Sequence, residues 1–161
     1  MKSSVCLYPG SFDPVTVGHL DIIRRGAAIF DRVIVGVLVN AEKKCAFTME
    51  ERFGFLCQVT AGLPNVEVIT FSGLTAELCR QKGVRVLLRG LRGPGDVEGE
   101  MRNAKVNGML LPGLETIYLG SSSGTEQISS SLVREIASLG GDITPFVPAE
   151  ICRAVQERYN R

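Results

Sequence analysis

Short β-rich runs alternate with segments of helical period along the whole chain, and that alternation leaves few folds open. Val5–Tyr8, Arg32–Val39, Val66–Thr70, Val84–Leu88 and Thr116–Leu119 read as strands. They are rich in apolar and β-branched residues, and Arg32–Val39 (RVIVGVLV) is apolar enough for a strand buried on both faces. Between them, Leu20, Ile23, Ala27 and Phe30 recur at the spacing of one helix face, in a helix that begins near Gly18-His19. Thr48 and Glu51 match a capping box, and the helix it opens has Met49, Phe53, Leu56, Cys57 and Thr60 on one side. Leu74–Lys82 reads as a short helix ended by Gly83, and a longer one runs from about Asp96 to Met109. Ser129-Ser130-Ser131 opens a helix with Leu132, Val133, Ile136 and Leu139 together, and the last helix, after Pro148, carries Ile151, Val155 and Tyr159.

This order predicts an α/β fold: a Rossmann-like, doubly wound, parallel five-stranded sheet with helices on both faces. A length of 161 residues without internal repeat or linker fits a single domain over 1–161. Parallel strands deliver their C-terminal loops to one edge, where ligands of such sheets bind at a switch point. Loops 9–18, 40–47, 71–75, 89–96 and 120–130 would meet there, and they hold most of the unusual polar residues.

Composition narrows the classes of partner. The formal net charge is +1, far from the basic excess of a duplex-binding domain, so nucleic acid is not the expected partner. No apolar run is long enough to span a bilayer, and Met1-Lys2-Ser3-Ser4 leads straight into a strand without an apolar leader. Both point to the cytoplasm. The 5 cysteines, Cys6, Cys45, Cys57, Cys79 and Cys152, form no C-x-x-C, which suits free thiols and no metal site.

The loop after the first strand, Pro9-Gly10-Ser11-Phe12-Asp13-Pro14-Val15-Thr16-Val17-Gly18-His19, runs into a helix N-terminus, whose unpaired N–H groups suit a phosphate. It contains neither a Walker A sequence nor G-x-G-x-x-G, so the two commonest phosphate-loop readings fail. His19 is the only histidine of the chain. Arg89 and Arg92 flank Gly90-Leu91 after the fourth strand, where two guanidinium forks suit phosphate contacts, or serve a solvated loop. Lys43-Lys44 follows the second strand and also reads as a solvated pair. Ser129-Ser130-Ser131 serves either as a helix cap or as an anion cradle, with Arg134 one turn on. Glu100 could accept from a ribose or an amine, or simply face solvent.

Pro9-Gly10-Ser11-Phe12-Asp13-Pro14, Thr16-Val17-Gly18-His19 and Ile128-Ser129-Ser130-Ser131-Leu132-Val133-Arg134 resemble the signature pair of the [HT]xGH nucleotidyltransferase superfamily. Phe47-Thr48-Met49-Glu50-Glu51-Arg52 and Leu88-Arg89-Gly90-Leu91-Arg92 narrow the likeness to the bacterial phosphopantetheine adenylyltransferases. The resemblance spans essentially the whole chain. It implies that ATP, with Mg²⁺, and 4′-phosphopantetheine give dephospho-coenzyme A and pyrophosphate. Of the neighbouring activities, an adenylyl- or cytidylyltransferase for another phosphorylated acceptor generally shows a second histidine where Thr16 stands; a non-catalytic nucleotide-binding regulator is the reading of another class.

The resemblance also implies residue roles. His19 would contact the ATP phosphates and stabilise the transition state. Ser11 would touch the reacting phosphates of both substrates. Lys43, Thr75 and Arg89 would serve phosphopantetheine. Phe12, Gly90, Leu91, Arg92 and Glu100 would belong to the ATP site, with Thr125, Glu126, Gln127, Ile128, Ser129, Ser130 and Ser131. A homohexamer and inhibition by coenzyme A are further family expectations. The chain departs from the family at Asp96-Val97-Glu98-Gly99-Glu100 and at Gly124-Thr125-Glu126-Gln127, where aromatic residues are usual.

Overall fold

Alternate residues of the first strand enter two different cores. In the computed structural model, which describes residues 4–39 and 44–160, Cys6 and Tyr8 of β1 (Val5–Gly10) face one cluster while Leu7 faces the other. That two-residue period is what a strand buried on both faces requires. β1 is the middle of a five-stranded parallel sheet of order β3-β2-β1-β4-β5, with β2 at Arg32–Val39, β3 at Val66–Ser72, β4 at Val86–Leu91 and β5 at Glu115–Gly120.

The larger core lies under α1 (Val17–Ile29), α2 (Met49–Thr60), α5 (Ser130–Ser138) and α6 (Ala149–Tyr159). The smaller one lies under α3 (Thr75–Lys82), where Ala76, Leu78 and Cys79 meet Leu7, Ile34 and Leu87. α4 (Pro94–Leu110) packs beside α3 on that face. The chain runs outward from β1 through β2 to β3 and then crosses back past β1 to β4 and β5, so the helices of the first two crossovers and those of the next two fall on opposite faces. The doubly wound parallel sheet read from the sequence is therefore the observed one.

Local rules set several boundaries. Thr48 and Glu51 form the expected reciprocal cap, with Thr48 N–H donating to Glu51 at 2.8 Å and Glu51 N–H to Thr48 Oγ1 at 3.2 Å. Gly83 ends α3 at φ +66°, a left-handed conformation that glycine adopts without a Cβ penalty. Pro94 opens α4 two residues earlier than the expected Asp96, because the first helical position needs no N–H donor.

Four sequence expectations are corrected. Pro9-Gly10 does not stop β1, since both residues continue the ladder against Gly36 and Val37. The fourth strand begins at Val86 and runs through Leu91, so Arg89, Gly90 and Leu91 are strand rather than loop, paired with Tyr118, Leu119 and Gly120. Cys57 is exposed, because the buried side of α2 is Arg52, Phe55, Leu56, Val59 and Thr60. Leu139 is 80% exposed, lying just beyond the last turn of α5.

Candidate active site

β1 and β4 pair only at Leu7–Leu87, against a six-residue ladder between β1 and β2. The unpaired edges beyond that point are the switch point of the sheet, and α1 starts there. Its cap is unusual. Thr16 Oγ1 accepts the His19 N–H at 3.3 Å, and Thr16 N–H donates to His19 Nδ1 at 3.1 Å. Histidine thus fills the place that Glu or Gln holds in an ordinary capping box. With Nδ1 accepting, the neutral ring carries its proton on Nε2. Phe12 (φ +48°) turns the loop sharply, and its ring lies edge-on between Tyr8 at 5.4 Å and His19 at 5.1 Å. A Cβ on Gly10 would lie 2.9 Å from that ring, so only glycine fits there.

Burial, with Arg89 and Arg92 nearby, pushes the His19 pKa down to about 4. The ring is therefore a neutral donor at pH 7. Between about pH 6.5 and 4 the unfolded chain takes up a proton that the folded chain excludes, so stability falls as pH falls through that window. With 1 histidine in the chain, NMR reads this directly: the imidazole C2 proton should titrate with a midpoint near 4 in the free protein. A midpoint at 6.5 would contradict the desolvated, neutral ring.

The arginines arrive already oriented. Arg89 donates from Nε and Nη2 to Glu100 at 2.9 and 2.6 Å, and from Nη1 to the Pro9 carbonyl at 2.7 Å. Those bonds use three of its five N–H groups and leave two for an anion. Glu100 is itself placed by Tyr118, whose hydroxyl donates to the Glu100 carbonyl at 3.0 Å. Arg92 makes a similar fork with Asp96, at 3.1 and 3.0 Å, which holds the Asp96 carboxyl below its usual range. Glu100 thus acts first as the partner of Arg89.

Asp13 and Arg52, which carry no role in the sequence reading, hold the loops in register together with Arg134 and Ser130. The buried Asp13 carboxylate accepts the N–H groups of Ala46 and Phe47, each at 2.9 Å. Arg134 lies 3.6 Å from the same carboxylate and donates to the Asp13 carbonyl at 2.6 Å. Ser130 Oγ donates to the Pro14 carbonyl at 2.8 Å. Three loops are bolted together at this point. Arg52, 3% exposed, donates to the Ser11 carbonyl at 2.7 Å and to those of Thr48 and Leu38.

Two cavities open on this frame. One, of about 460 Å³, is lined by Ser11, Phe12, His19, Gly90, Arg92, Thr125, Ile128, Ser129 and Ser130 among others. The second, of about 480 Å³, is lined by Leu38, Leu74, Thr75 and the α4 residues Val106 and Leu110. Ser11, Arg89 and Glu100 form part of both walls. Leu91, Glu126, Gln127 and Ser131 line neither, while Lys43 lies outside the described residues. Tyr8 and Asn103 are lining residues that sequence reasoning did not single out.

Strand-end arginines, a neutral imidazole donor and a helix N-terminus facing one cavity suit the transfer of a nucleotidyl group between phosphates. The family model described as cytidylyltransferase-like matches residues 7–136 and places the chain in that class of transferases. The comparison with curated relatives is more specific. A phosphopantetheine adenylyltransferase from Synechococcus sp. is 48% identical over 155 residues, spanning 96% of this chain and 98% of the relative. Another, from Lachnoclostridium phytofermentans, is 46% identical over 154 residues, 96% of this chain and 94% of its own. A third, from Caldanaerobacter subterraneus, is 45% identical over 157 residues, 98% of each chain. The chain belongs to the phosphopantetheine adenylyltransferase family. A solved structure from Vibrio parahaemolyticus, provisionally assigned as a nicotinate-nucleotide adenylyltransferase, superposes with a TM-score of 0.70 over 97% of this chain and 91% of that one. Its identity is 15%, so this likeness speaks for the fold alone.

Proposed function

We propose that the chain transfers the adenylyl group of ATP to 4′-phosphopantetheine, giving dephospho-coenzyme A and pyrophosphate, the penultimate step of coenzyme A synthesis. The observation that carries this reading is the pair of cavities sharing the Ser11–Arg89 wall, one for each substrate. In this reading the larger set of donors, His19, Arg92 and the start of α5, holds the ATP phosphates. Thr75, Arg89 and Lys43 hold the phosphate and pantetheine arm of the acceptor, and Ser11 touches both.

The acceptor phosphate attacks the α-phosphorus in line, and pyrophosphate leaves. A phosphate monoester is already anionic near neutral pH, so the step needs no strong base. The chain contributes position and charge stabilisation. Mg²⁺ enters with ATP as part of the substrate. The carboxylates on the cavity walls, Asp96 and Glu100, are occupied by arginine forks, which supports a metal carried by phosphate oxygens and water. The direct test is pyrophosphate release on mixing the protein with Mg-ATP and phosphopantetheine. Absence of release would overturn the assignment.

The same reading includes a cytoplasmic location, feedback by coenzyme A and assembly into a hexamer. Among the described residues no helix is long and apolar enough to cross a membrane. Assembly is supported by α4, which has no buried residue and exposes Val97, Met101, Val106, Met109 and Leu110, with Ile117 on the edge strand beside it. So many exposed apolar side chains on one helix is unusual for a monomer. Met109, 82% exposed, gives the test. Met109→Glu should shift the mass seen by light scattering to smaller species while far-UV circular dichroism stays unchanged. An unaltered mass would take this face out of the interface.

A further inference from the structure

Tyr8 lies in the middle of β1 and is 5% exposed, among residues that would be read as core. Its ring fits that reading, packing edge-on against Phe12. Its hydroxyl does not. Among the described residues nothing pairs with it, whereas the Tyr118 hydroxyl is used on the Glu100 carbonyl. The Tyr8 hydroxyl is not sealed in either: no buried side-chain oxygen of the described residues lacks a partner, and Tyr8 lines the cavity that holds His19 and Arg92.

A hydroxyl kept out of bulk water is costly unless something bonds to it, and phenylalanine would fill the same space without that cost. Phe30, Phe47 and Phe55 do so elsewhere in this core. Burial pushes the Tyr8 pKa well above the ordinary phenol value, an effect that Arg89 partly opposes. The hydroxyl therefore keeps its proton and is a donor. On the far side of Phe12, His19 Nε2–H is a second donor.

We propose that Tyr8 is a nucleotide-binding residue, whose hydroxyl donates a hydrogen bond to an oxygen of the nucleotide in that cavity. The acceptor is either a phosphate oxygen or a ribose oxygen. The assignment rests on the nucleotide reading of the cavity given above.

Tyr8→Phe keeps the ring contacts and removes only the donor. ATP without an acceptor substrate cannot turn over, so calorimetry with Mg-ATP measures binding alone. The variant should bind ATP about tenfold or more weakly than wild type, in line with the loss of a hydrogen bond to a polar or charged partner. Its melting temperature without ligand should be unchanged or higher, because no partner is lost in the free protein. KM for phosphopantetheine should stay as in wild type. A parallel loss for tripolyphosphate places the acceptor on the phosphates, and a loss confined to ATP places it on the ribose. Wild-type affinity for ATP in the variant, or a lower melting temperature without ligand, overturns the proposal. If wild-type protein itself fails to bind ATP, the nucleotide reading falls, and this inference with it.

Discussion

His19→Ala should lower kcat by roughly a hundredfold or more while weakening ATP binding far less, as the loss of one donor to developing charge does in other enzymes. The structure gives this prediction a definite atom. Nδ1 is occupied by the Thr16 N–H at 3.1 Å, so only Nε2 is free to meet a ligand. The ring is neutral at pH 7, held so by burial and two arginines, and the donor is present without a prior protonation step. Charge that builds on the departing pyrophosphate would strengthen that bond in the transition state more than in the ground state. Alanine also removes the acceptor of the Thr16 N–H, which should cost on the order of 1 kcal/mol of stability, as loss of a cap does. His19→Gln separates the two effects, since a glutamine at this helix position can accept from the cap residue. It should recover melting temperature without recovering turnover. An Ala variant that folds and turns over within a few-fold of wild type would remove His19 from the chemistry.

The layout of the fold was legible because it depends on short-range patterns. Alternating apolar runs and helical periods dictate a parallel sheet, and Thr48 with Glu51 marks a helix start that the structure reproduces. The position of the site followed from topology, since ligands of such sheets bind at the switch point. What stayed hidden depends on distance in the chain or on an unusual partner. Thr16 and His19 form a capping box with the wrong residue for the ordinary pattern, so the tautomer of His19 could not be read from its neighbours. Asp13 reaches Ala46 and Phe47 more than thirty residues away, and nothing local marks it as the bolt between loops. Arg89 looked like a loop residue because Gly90 follows it, yet pairing with β5 carries the strand through Leu91. The second cavity is the hardest case. Its α4 wall is made by residues such as Val106 and Leu110, which in a sequence are indistinguishable from a helix face turned to a core. Tyr8 was hidden in the same way, as one more apolar ring in a buried strand.

Unphosphorylated pantetheine should be essentially inert, with kcat/KM down by on the order of 10⁴ or more relative to phosphopantetheine. Two features of the site lead there. The proposed nucleophile is the phosphate of the acceptor, an anion near neutral pH, whereas pantetheine offers a neutral hydroxyl of much higher pKa. Such a hydroxyl needs a base, and among the described residues lining the two cavities none is free to serve. His19 presents a protonated Nε2 and has its Nδ1 engaged. The carboxylates of Asp96 and Glu100 are each gripped by an arginine fork. The second feature is the cations. Arg89 keeps two N–H groups beyond those it gives to Glu100 and Pro9, and these are left without their anion when the phosphate is absent. A site built around a charged partner discriminates strongly against a ligand that lacks it, because its own polar groups stay desolvated and unpaired. The experiment supplies Mg-ATP with either acceptor and follows pyrophosphate. Comparable release from pantetheine would sink both the in-line attack by phosphate and the assignment of Arg89 to the acceptor.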